Sequence, residues 1–140
     1  MAYSLSFSKS ILVLVFISDK TKRGETEFIS AKVMSDLLNI PKPTLSLIFN
    51  NLIRAGILES KEGIYGGVRF AKKTEDISLL DLLLAVENEK SLFQTDFQLN
   101  VKGPRPDSVK KTISDILKRV EGIMKEELMK ISLDDILEER

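Results

Sequence analysis

The sequence contains no cysteine, no histidine and no tryptophan. Without cysteine, the chain can form no disulfide and no thiolate metal site, and it has no cysteine nucleophile. Without histidine, it has no imidazole to act as a general base or to bind zinc or haem. No nucleophile–base pair, phosphate-binding loop or carboxylate spacing for a hard cation is visible either. We therefore expect a protein that is not an enzyme and that holds neither a metal nor a cofactor.

The sequence also lacks an apolar run long enough to cross a bilayer. The run ILVLVFI has seven residues, whereas a membrane-spanning helix needs about 20. It lacks the basic start and the small-residue cleavage site of a signal peptide, and Asp19 and Lys20 follow it closely. We interpret it as part of a buried helix over residues 3–18. The expected localisation is cytoplasmic, without membrane contact.

Length and composition favour one compact domain with an appended helical element. The chain has 140 residues, of which 43% are hydrophobic, which is enough for a core.

The formal net charge is zero, but residues 30–73 carry +4 and residues 74–140 carry −5. A basic middle beside an acidic tail suits a module that binds a polyanion. Ordinary scatter of surface charge explains the same numbers equally well.

Two short helices joined by a proline-containing turn are predicted next. Ser30 can cap the first helix, which carries an apolar stripe and ends near Asn39. The two prolines of NIPKP, residues 39–43, rule out one continuous helix but can open a new one. The second helix spans about residues 43–55 and ends at Gly56. Its side chains expected to face inward are Leu45, Ile48, Phe49, Leu52 and Ile53. Two helices joined by so short a turn form a helix-turn-helix.

A β-hairpin is predicted directly after these helices. Residues 57–61 alternate weakly between apolar and polar side chains, and residues 68–71 form a second short strand. The turn between them, residues 62–67, contains three glycines. A hairpin in this position is a wing. The predicted fold class is therefore mainly α with a small β wing (α+β), a winged helix-turn-helix.

The C-terminal half is predicted to contain a long helix. A helix capped by Ser78 runs to about Glu87, a loop follows, and the long helix begins at Asp107. It carries an a/d heptad seam formed by Val109, Ile113, Ile116, Val120 and Ile123. About two heptads are too few to stand alone, so the seam must pack either on its own domain or on a second copy. We favour the second copy and expect a homodimer.

The chain divides into three expected units. Residues 1–87 form the winged helix-turn-helix domain with its N-terminal helix, and residues 88–107 form a loop region. Residues 108–140 form the dimerisation helix and the C-terminal end. This end includes residues 131–137, a short apolar–acidic piece.

Three pieces of the sequence are distinctive when taken together. They are Arg-Ala-Gly-Ile-Leu at residues 54–58, the wing glycines Gly66 and Gly67, and Ile-Ser-Leu-Leu-Asp at residues 77–81. With the stretches around them, they resemble the Rrf2 family of bacterial transcription regulators. The resemblance covers roughly residues 3–87 and returns in the last helix and the ISLDDIL ending. It implies a dimer whose long C-terminal helices cross while the N-terminal helix supports the interface.

Departures from the family pattern limit what this resemblance implies. Members with an iron–sulfur cluster place three cysteines in the loop matching residues 88–107, and this loop has none, so a cluster held by that motif is excluded.

Some members are controlled by a metabolic enzyme. A small-molecule or protein effector therefore fits, and residues 88–106 are the first candidate for its site. Thr44 and Val68 stand where many members have an aromatic residue, so the operator sequence of relatives is not carried over.

The second helix of the helix-turn-helix is expected to enter the major groove of DNA. Asn50 is the best candidate for reading a base, because an amide can form two hydrogen bonds with adenine. Thr44 and Ser46 are candidates too, although both can be simple helix-cap residues. Leu47 lies outside the buried stripe, and it could meet a thymine methyl group or fill a domain contact. The candidate DNA-binding residues of this helix are Lys42, Thr44, Ser46, Asn50 and Arg54.

Further DNA contacts are expected from the first helix and the wing. Ser30 and Lys32, at the start of the first helix, can meet phosphate through side chains and free amides. The wing candidates for backbone or minor-groove contact are Tyr65, Gly66, Arg69 and Lys72. An ordinary surface arginine on a strand is an equally good interpretation of Arg69.

These expectations combine into one function. A dimer presents two recognition helices, so we expect a DNA-binding transcriptional regulator, a repressor, on double-stranded DNA. Its operator would be pseudo-palindromic, with half-sites about 34–36 Å apart or a multiple of that, and no iron–sulfur cluster would take part. The alternative is a winged-helix interaction module that is controlled by a protein or small-molecule partner and does not bind DNA. DNA affinity that falls steeply with salt would separate the two.

Overall fold

The computed structural model describes residues 5–22, 27–87 and 91–138. The described chain is mainly helical, with one small antiparallel sheet, as the sequence predicted. Its helices and strands, in chain order, are α1 (Ser6–Lys22), α2 (Ala31–Leu38), α3 (Lys42–Arg54), β1 (Leu58–Lys61), β2 (Gly67–Phe70), a 3-10 turn (Thr74–Asp76), α4 (Leu79–Glu87), α5 (Pro104–Met129) and α6 (Leu133–Leu137).

The helix-turn-helix forms where its start and stop signals predicted it. The hydroxyl of Ser30 caps α2 by accepting a hydrogen bond from the amide of Val33 at 3.2 Å. Asn39 ends the helix in the left-handed region, with φ of 54°. Pro43 lies in the first turn of α3, where its missing amide costs no hydrogen bond. Gly56, with φ of 76°, ends α3 as expected.

The wing is a two-stranded hairpin that a third segment extends. Leu58 pairs with Phe70 at one end of the hairpin. Ile29, just before α2, forms a β-bridge with Val68, with both backbone hydrogen bonds at 3.0 Å. At Gly67, with φ of 145°, a Cβ atom would overlap the carbonyl group of Ile29. Glycine is therefore required where the wing meets the segment that leads into the helix-turn-helix.

The core lies between the N-terminal helix, the recognition helix and the helix that follows the wing. α4 packs against both α1 and α3, and α2 packs against α3. One predicted core position of α3 differs, because Ile53 is only half-buried while Asn51 is buried. α1 extends to residue 22, four residues beyond the predicted end, and residues 3 and 4 of the predicted helix lie outside the described residues. Fully buried core side chains include Leu14, Ile17, Leu45, Leu52, Ile77, Leu82 and Leu133.

α4 and α6 are joined by backbone hydrogen bonds next to their capping residues. The amide of Leu79 donates to the carbonyl oxygen of Ile131, and the amide of Leu133 donates to that of Ile77, both at 2.8 Å. Ser132 caps α6 through a capping box. The C-terminal segment of residues 131–137, which we grouped with the dimerisation helix from the sequence, therefore contributes Leu133 to the core.

The long helix α5 begins at Pro104, three residues before the predicted start at Asp107. The reason is that proline fits the first turn of a helix, so Pro104 and Pro106 belong to the helix rather than to the preceding loop. Of the predicted loop, residues 88–90 lie outside the described residues, and residues 91–103 contain neither helix nor strand.

The heptad seam of α5 faces solvent. Its five side chains, Val109, Ile113, Ile116, Val120 and Ile123, are between 39% and 61% exposed. The other side of α5 packs against α4 and carries the buried Glu121, whose carboxylate accepts a hydrogen bond from the amide of Leu92. The described part of the chain thus leaves the seam uncovered. None of its helices is long and apolar enough to span a membrane.

Candidate nucleic-acid interface

One face of α3 is exposed along its whole length. Lys42, Ser46 and Asn50 are spaced by four residues and all three are exposed, so they form one stripe. Leu47, also exposed, lies beside them, while Leu45 anchors the opposite face in the core. The buried face holds the helix in place. The stripe, with one cation and two hydrogen-bonding groups, and the neighbouring Leu47 are therefore available to a partner.

Of the two other α3 candidates, Thr44 lies apart from this stripe and Arg54 continues it. Thr44 is half-buried and points about 160° around the helix from Lys42, towards the side of the buried Asn51. Arg54 is exposed and follows Asn50 by four residues, so it lies at the C-terminal end of the exposed face, about 18 Å along the helix axis from Lys42. Its Nη2 donates to Asn51 Oδ1 at 3.2 Å. Lys42, Ser46 and Asn50, with Arg54 at the far end, are therefore the predicted residues that share the exposed face of this helix.

Arg54 and Lys72 line a shallow cavity behind the C-terminal end of α3. The cavity has a volume of about 480 Å³, and Asp81 and Leu84 of α4 form its opposite wall. Lys72 was expected to belong to the wing surface, but it follows β2 and faces α4 across this cavity. The two cations therefore share a site with a carboxylate rather than with Lys42.

The start of α2 lies next to the tip of the wing. Ser30 and Val33 line a cleft of about 250 Å³ together with Tyr65 and Gly66. Lys32 is exposed in the first turn of α2, where the positive end of the helix dipole also lies. Ser30, Lys32 and Tyr65, predicted as contacts from separate elements, are thus brought into one region.

Arg69 is held inside the wing by two carboxylates. Its Nε donates to Glu59 Oε1 at 2.5 Å, and its Nη1 forms an ion pair with Glu27. The guanidinium also lies over the ring of Phe28, 4.5 Å from the ring centroid. The hydrogen bond with Glu59, together with the charges of Glu59 and Glu27, raises the pKa of Arg69 above its ordinary value. Arg69 thus has partners from two segments, β1 and the chain that leads into α2.

The wing tip carries two exposed apolar side chains, of which the sequence predictions included only one. Tyr65 is 86% exposed and Ile64 is 94% exposed. A Cβ at Gly66 would overlap the carbonyl oxygen of Lys61, so this glycine has a structural role in the turn. Ile64 was missed because alternating apolar residues identify strands and basic residues identify candidate phosphate contacts. A single apolar residue in a turn has neither signal.

The loop that could hold an iron–sulfur cluster has no suitable donors. Residues 91–103 offer a single carboxylate, Asp96, and the whole chain contains no cysteine or histidine. Such clusters are held by cysteine thiolates, in some centres with histidine. These residues therefore do not fit a cluster. Across the described ranges, no group of three or more acidic residues is arranged to hold a metal ion.

The fold and the exposed face of α3 define a winged helix-turn-helix DNA-binding protein. The chain belongs to the Rrf2 family, because the family model, described as an iron-dependent transcriptional regulator, matches residues 3–139. The identification agrees with the resemblance carried by the wing glycines and by the residues that follow the wing.

Two named relatives and one solved structure match along nearly the whole chain. YffB of Lactococcus lactis, named as an HTH-type transcriptional regulator, is 27% identical over 141 residues, which cover 99% of this chain and 88% of YffB. YwnA of Bacillus subtilis, with the same type of name, is 27% identical over 133 residues, covering 95% of this chain and 93% of YwnA. The solved structure of CymR, the global cysteine regulator of B. subtilis, superposes with a TM-score of 0.70 at 20% identity. The match covers 100% of this chain and 98% of CymR, and it supports the fold. The protein is accordingly a DNA-binding transcriptional regulator.

Proposed function

We propose that the protein is a homodimeric repressor that binds a pseudo-palindromic operator through two copies of α3 and works without an iron–sulfur cluster. The observation that carries this proposal is the exposed stripe of Lys42, Ser46 and Asn50, which lies on a helix of the length and setting that fits a major groove. The buried face of the same helix is anchored in the core, so the stripe is held rigidly for recognition.

Each member of the stripe has a distinct role in this proposal. Asn50 reads an adenine, because its amide can donate to one edge atom and accept from another. Ser46 donates to or accepts from a neighbouring base, and Leu47 contacts a thymine methyl group. Lys42, at the start of the helix, neutralises a backbone phosphate. Thr44 supports the first turn of α3 from its half-buried position.

The start of α2 and the wing position the protein on the duplex. Lys32, with the first-turn amides that Ser30 precedes, meets the phosphates that border the major groove. Tyr65 approaches the DNA at the wing, and Gly66 lets the turn adopt the shape that presents it. Arg69 orders the wing by binding Glu59 and Glu27, whereas Arg54 and Lys72 contribute positive potential near the complex.

The dimer in this proposal forms through the seam of α5. Five aliphatic side chains repeating at steps of four and three, all partly exposed, match the seam of two helices that cross. A two-fold dimer presents two copies of α3, so its half-sites lie about 34–36 Å apart or a multiple of that. Leu12 of α1 is exposed as well, which is consistent with α1 supporting the interface.

Repression by exclusion needs only occupancy of a promoter. A dimer that covers its operator blocks the polymerase without any activating surface, so we infer repression. Because the chain has no cysteine or histidine, its signal would come from a small molecule or a protein partner. The first candidate region is residues 88–106, of which residues 88–90 lie outside the described residues. As a regulator of transcription, the protein would act in the cytoplasm, where bacterial DNA lies.

Selection from a randomised duplex pool, followed by a salt titration on the enriched sequence, tests this function. We expect a two-fold symmetric consensus and a linear fall of log K with log [salt]. In the Lys42→Ala variant, one phosphate contact is lost from each subunit, so the slope should decrease by about two. The matched control is Lys118→Ala, at an exposed lysine of α5, which should leave the slope unchanged. No enrichment from folded wild-type protein would support the interaction-module alternative instead.

A further inference from the structure

The wing tip carries the two most exposed large apolar side chains in the described part of the chain. Ile64 and Tyr65 are 94% and 86% exposed, and every other large apolar side chain described is at most 67% exposed. They are consecutive residues of a tight turn, in which Gly66 approaches the carbonyl oxygen of Lys61 too closely for any side chain at that position. Two adjacent apolar groups held out by a constrained turn indicate a contact surface.

The charges of the wing do not favour phosphate as the target of this tip. Arg69 is bound by Glu59 and Glu27 at the base of the hairpin. The ammonium group of Lys61 lies over the ring of Phe28, 5.7 Å from the ring centroid, rather than at the tip. The charged residue within the turn itself is Glu62, which is exposed and would repel phosphate. The tip is therefore suited to an apolar contact.

The position of the tip indicates which part of the duplex it reaches. The bridge between Ile29 and Val68 fixes the wing beside the start of α2, and a cleft of about 250 Å³ separates Tyr65 from Ser30 and Val33. With α3 in the major groove, the start of α2 lies over the phosphate strand that borders that groove. An element on the far side of that strand faces the adjacent minor groove, where apolar side chains can enter between base pairs.

We propose that Ile64 and Tyr65 enter the minor groove beside each half-site as an apolar wedge, so that affinity depends on how easily the base step there unstacks. This inference rests on the proposed DNA-binding function and adds a specificity that α3 does not provide. Pyrimidine–purine steps such as TA unstack easily, whereas AA steps are stiff. Both steps present the same acceptor pattern in the minor groove, so a preference for TA reports deformability and not hydrogen bonding.

The test uses two duplexes that differ only in the step that the wing covers. Both carry the sequence enriched by the wild-type protein, one with TA and the other with AA at the flanking position. Affinity is measured by fluorescence anisotropy across a salt series, and bending is measured by energy transfer between dyes on the duplex ends. The full-length proteins compared are wild type, the double variant Ile64→Ser/Tyr65→Ser, and the conservative double variant Ile64→Leu/Tyr65→Phe. Thermal melts check that both variants remain folded, which the exposure of both side chains predicts.

The wild-type protein should prefer the TA duplex on the order of tenfold and bend it. The serine variant should lose that preference and the bend while keeping the wild-type salt slope, and the leucine–phenylalanine variant should retain both. Equal affinities of wild type and serine variant for the TA duplex would overturn the wedge, and so would a serine variant with a shallower salt slope. If the wild-type protein enriches no DNA, both the proposed function and this inference are wrong. If it enriches a consensus but the serine variant binds both duplexes as the wild type does, only this inference is wrong.

Discussion

Arg69 and Glu59 are direct cross-strand partners in the wing, and the guanidinium Nε donates to the carboxylate Oε1 at 2.5 Å. The same guanidinium binds Glu27 and covers the ring of Phe28, so it joins both strands of the hairpin to the segment that leads into α2. Because both ion pairs are accessible to solvent, they contribute little to the free energy of unfolding. Their consequence is positional, since they fix the wing relative to the helix-turn-helix.

Replacing Arg69 with alanine should therefore affect DNA binding without removing a phosphate contact. We expect the free energy of unfolding to fall by less than about 1 kcal/mol, and the affinity for the selected operator to fall severalfold because the wing loses its fixed position. The slope of log K against log [salt] should stay at the wild-type value. A slope reduced as much as in Lys42→Ala would show that Arg69 contacts phosphate after all.

Asn50 should determine the preference for one base pair in each half-site. In Asn50→Ala, the two hydrogen bonds to adenine are lost, so discrimination at that position should fall by about 1–3 kcal/mol while other positions keep theirs. The measurement is selection from a randomised pool with each protein, followed by affinities for single-substitution duplexes. Asn100→Ala, an exposed asparagine in the loop before α5, is the matched control and should reproduce the wild-type consensus. An unchanged consensus for Asn50→Ala would exclude it as a base-reading residue.

Alanine should have opposite effects on stability at two glycines, because one lies at the close approach of the wing to the chain before α2 and the other lies in open space on α5. Gly67→Ala places a Cβ against the carbonyl group of Ile29 at a positive φ, so the free energy of unfolding should fall by about 2–4 kcal/mol. Gly122→Ala, in the middle of α5 with no atom near its Cβ position, should raise it by about 0.5–1 kcal/mol. Chemical denaturation of both variants measures the two changes. A fully stable Gly67→Ala variant would mean that the wing does not lie where Ile29 holds it.

The seam of α5 should control the oligomeric state. Ile116→Asp puts a carboxylate into the centre of the five-residue seam, and burying this charge should weaken the dimer by on the order of 100-fold or more. Lys118→Asp introduces the same side chain at an exposed position outside the seam and should leave the dimer intact. Sedimentation equilibrium of the two variants measures the difference. If both remain dimers, the subunits associate through another surface.

The sequence predicted the elements whose signals are local. The cap at Ser30, the proline-containing turn before α3 and the glycine at Gly56 each act within a few residues, and their elements formed where expected. The start of α5 was misjudged because Pro104 and Pro106 are compatible both with a loop and with the first turn of a helix.

Contacts between residues distant in the chain could not be predicted from the sequence. The carboxylate of Glu27 reaches Arg69 over 42 positions, and periodicity contains no information on such a pair. Asp134 likewise accepts a hydrogen bond from Thr74, 60 positions earlier, where α6 packs against the 3-10 turn. In the same way, only the folded chain shows that Arg54, at the C-terminal end of α3, lines a cavity together with Lys72.

Native mass spectrometry of the protein bound to its selected operator tests the central claim most directly, because it counts the chains on one duplex. We expect two chains on a duplex carrying two half-sites, and a large loss of affinity with Ile116→Asp but not with Lys118→Asp. One chain bound with full affinity to a single half-site would contradict the proposed dimeric recognition. Absence of any complex from folded protein would contradict the proposed binding to DNA itself.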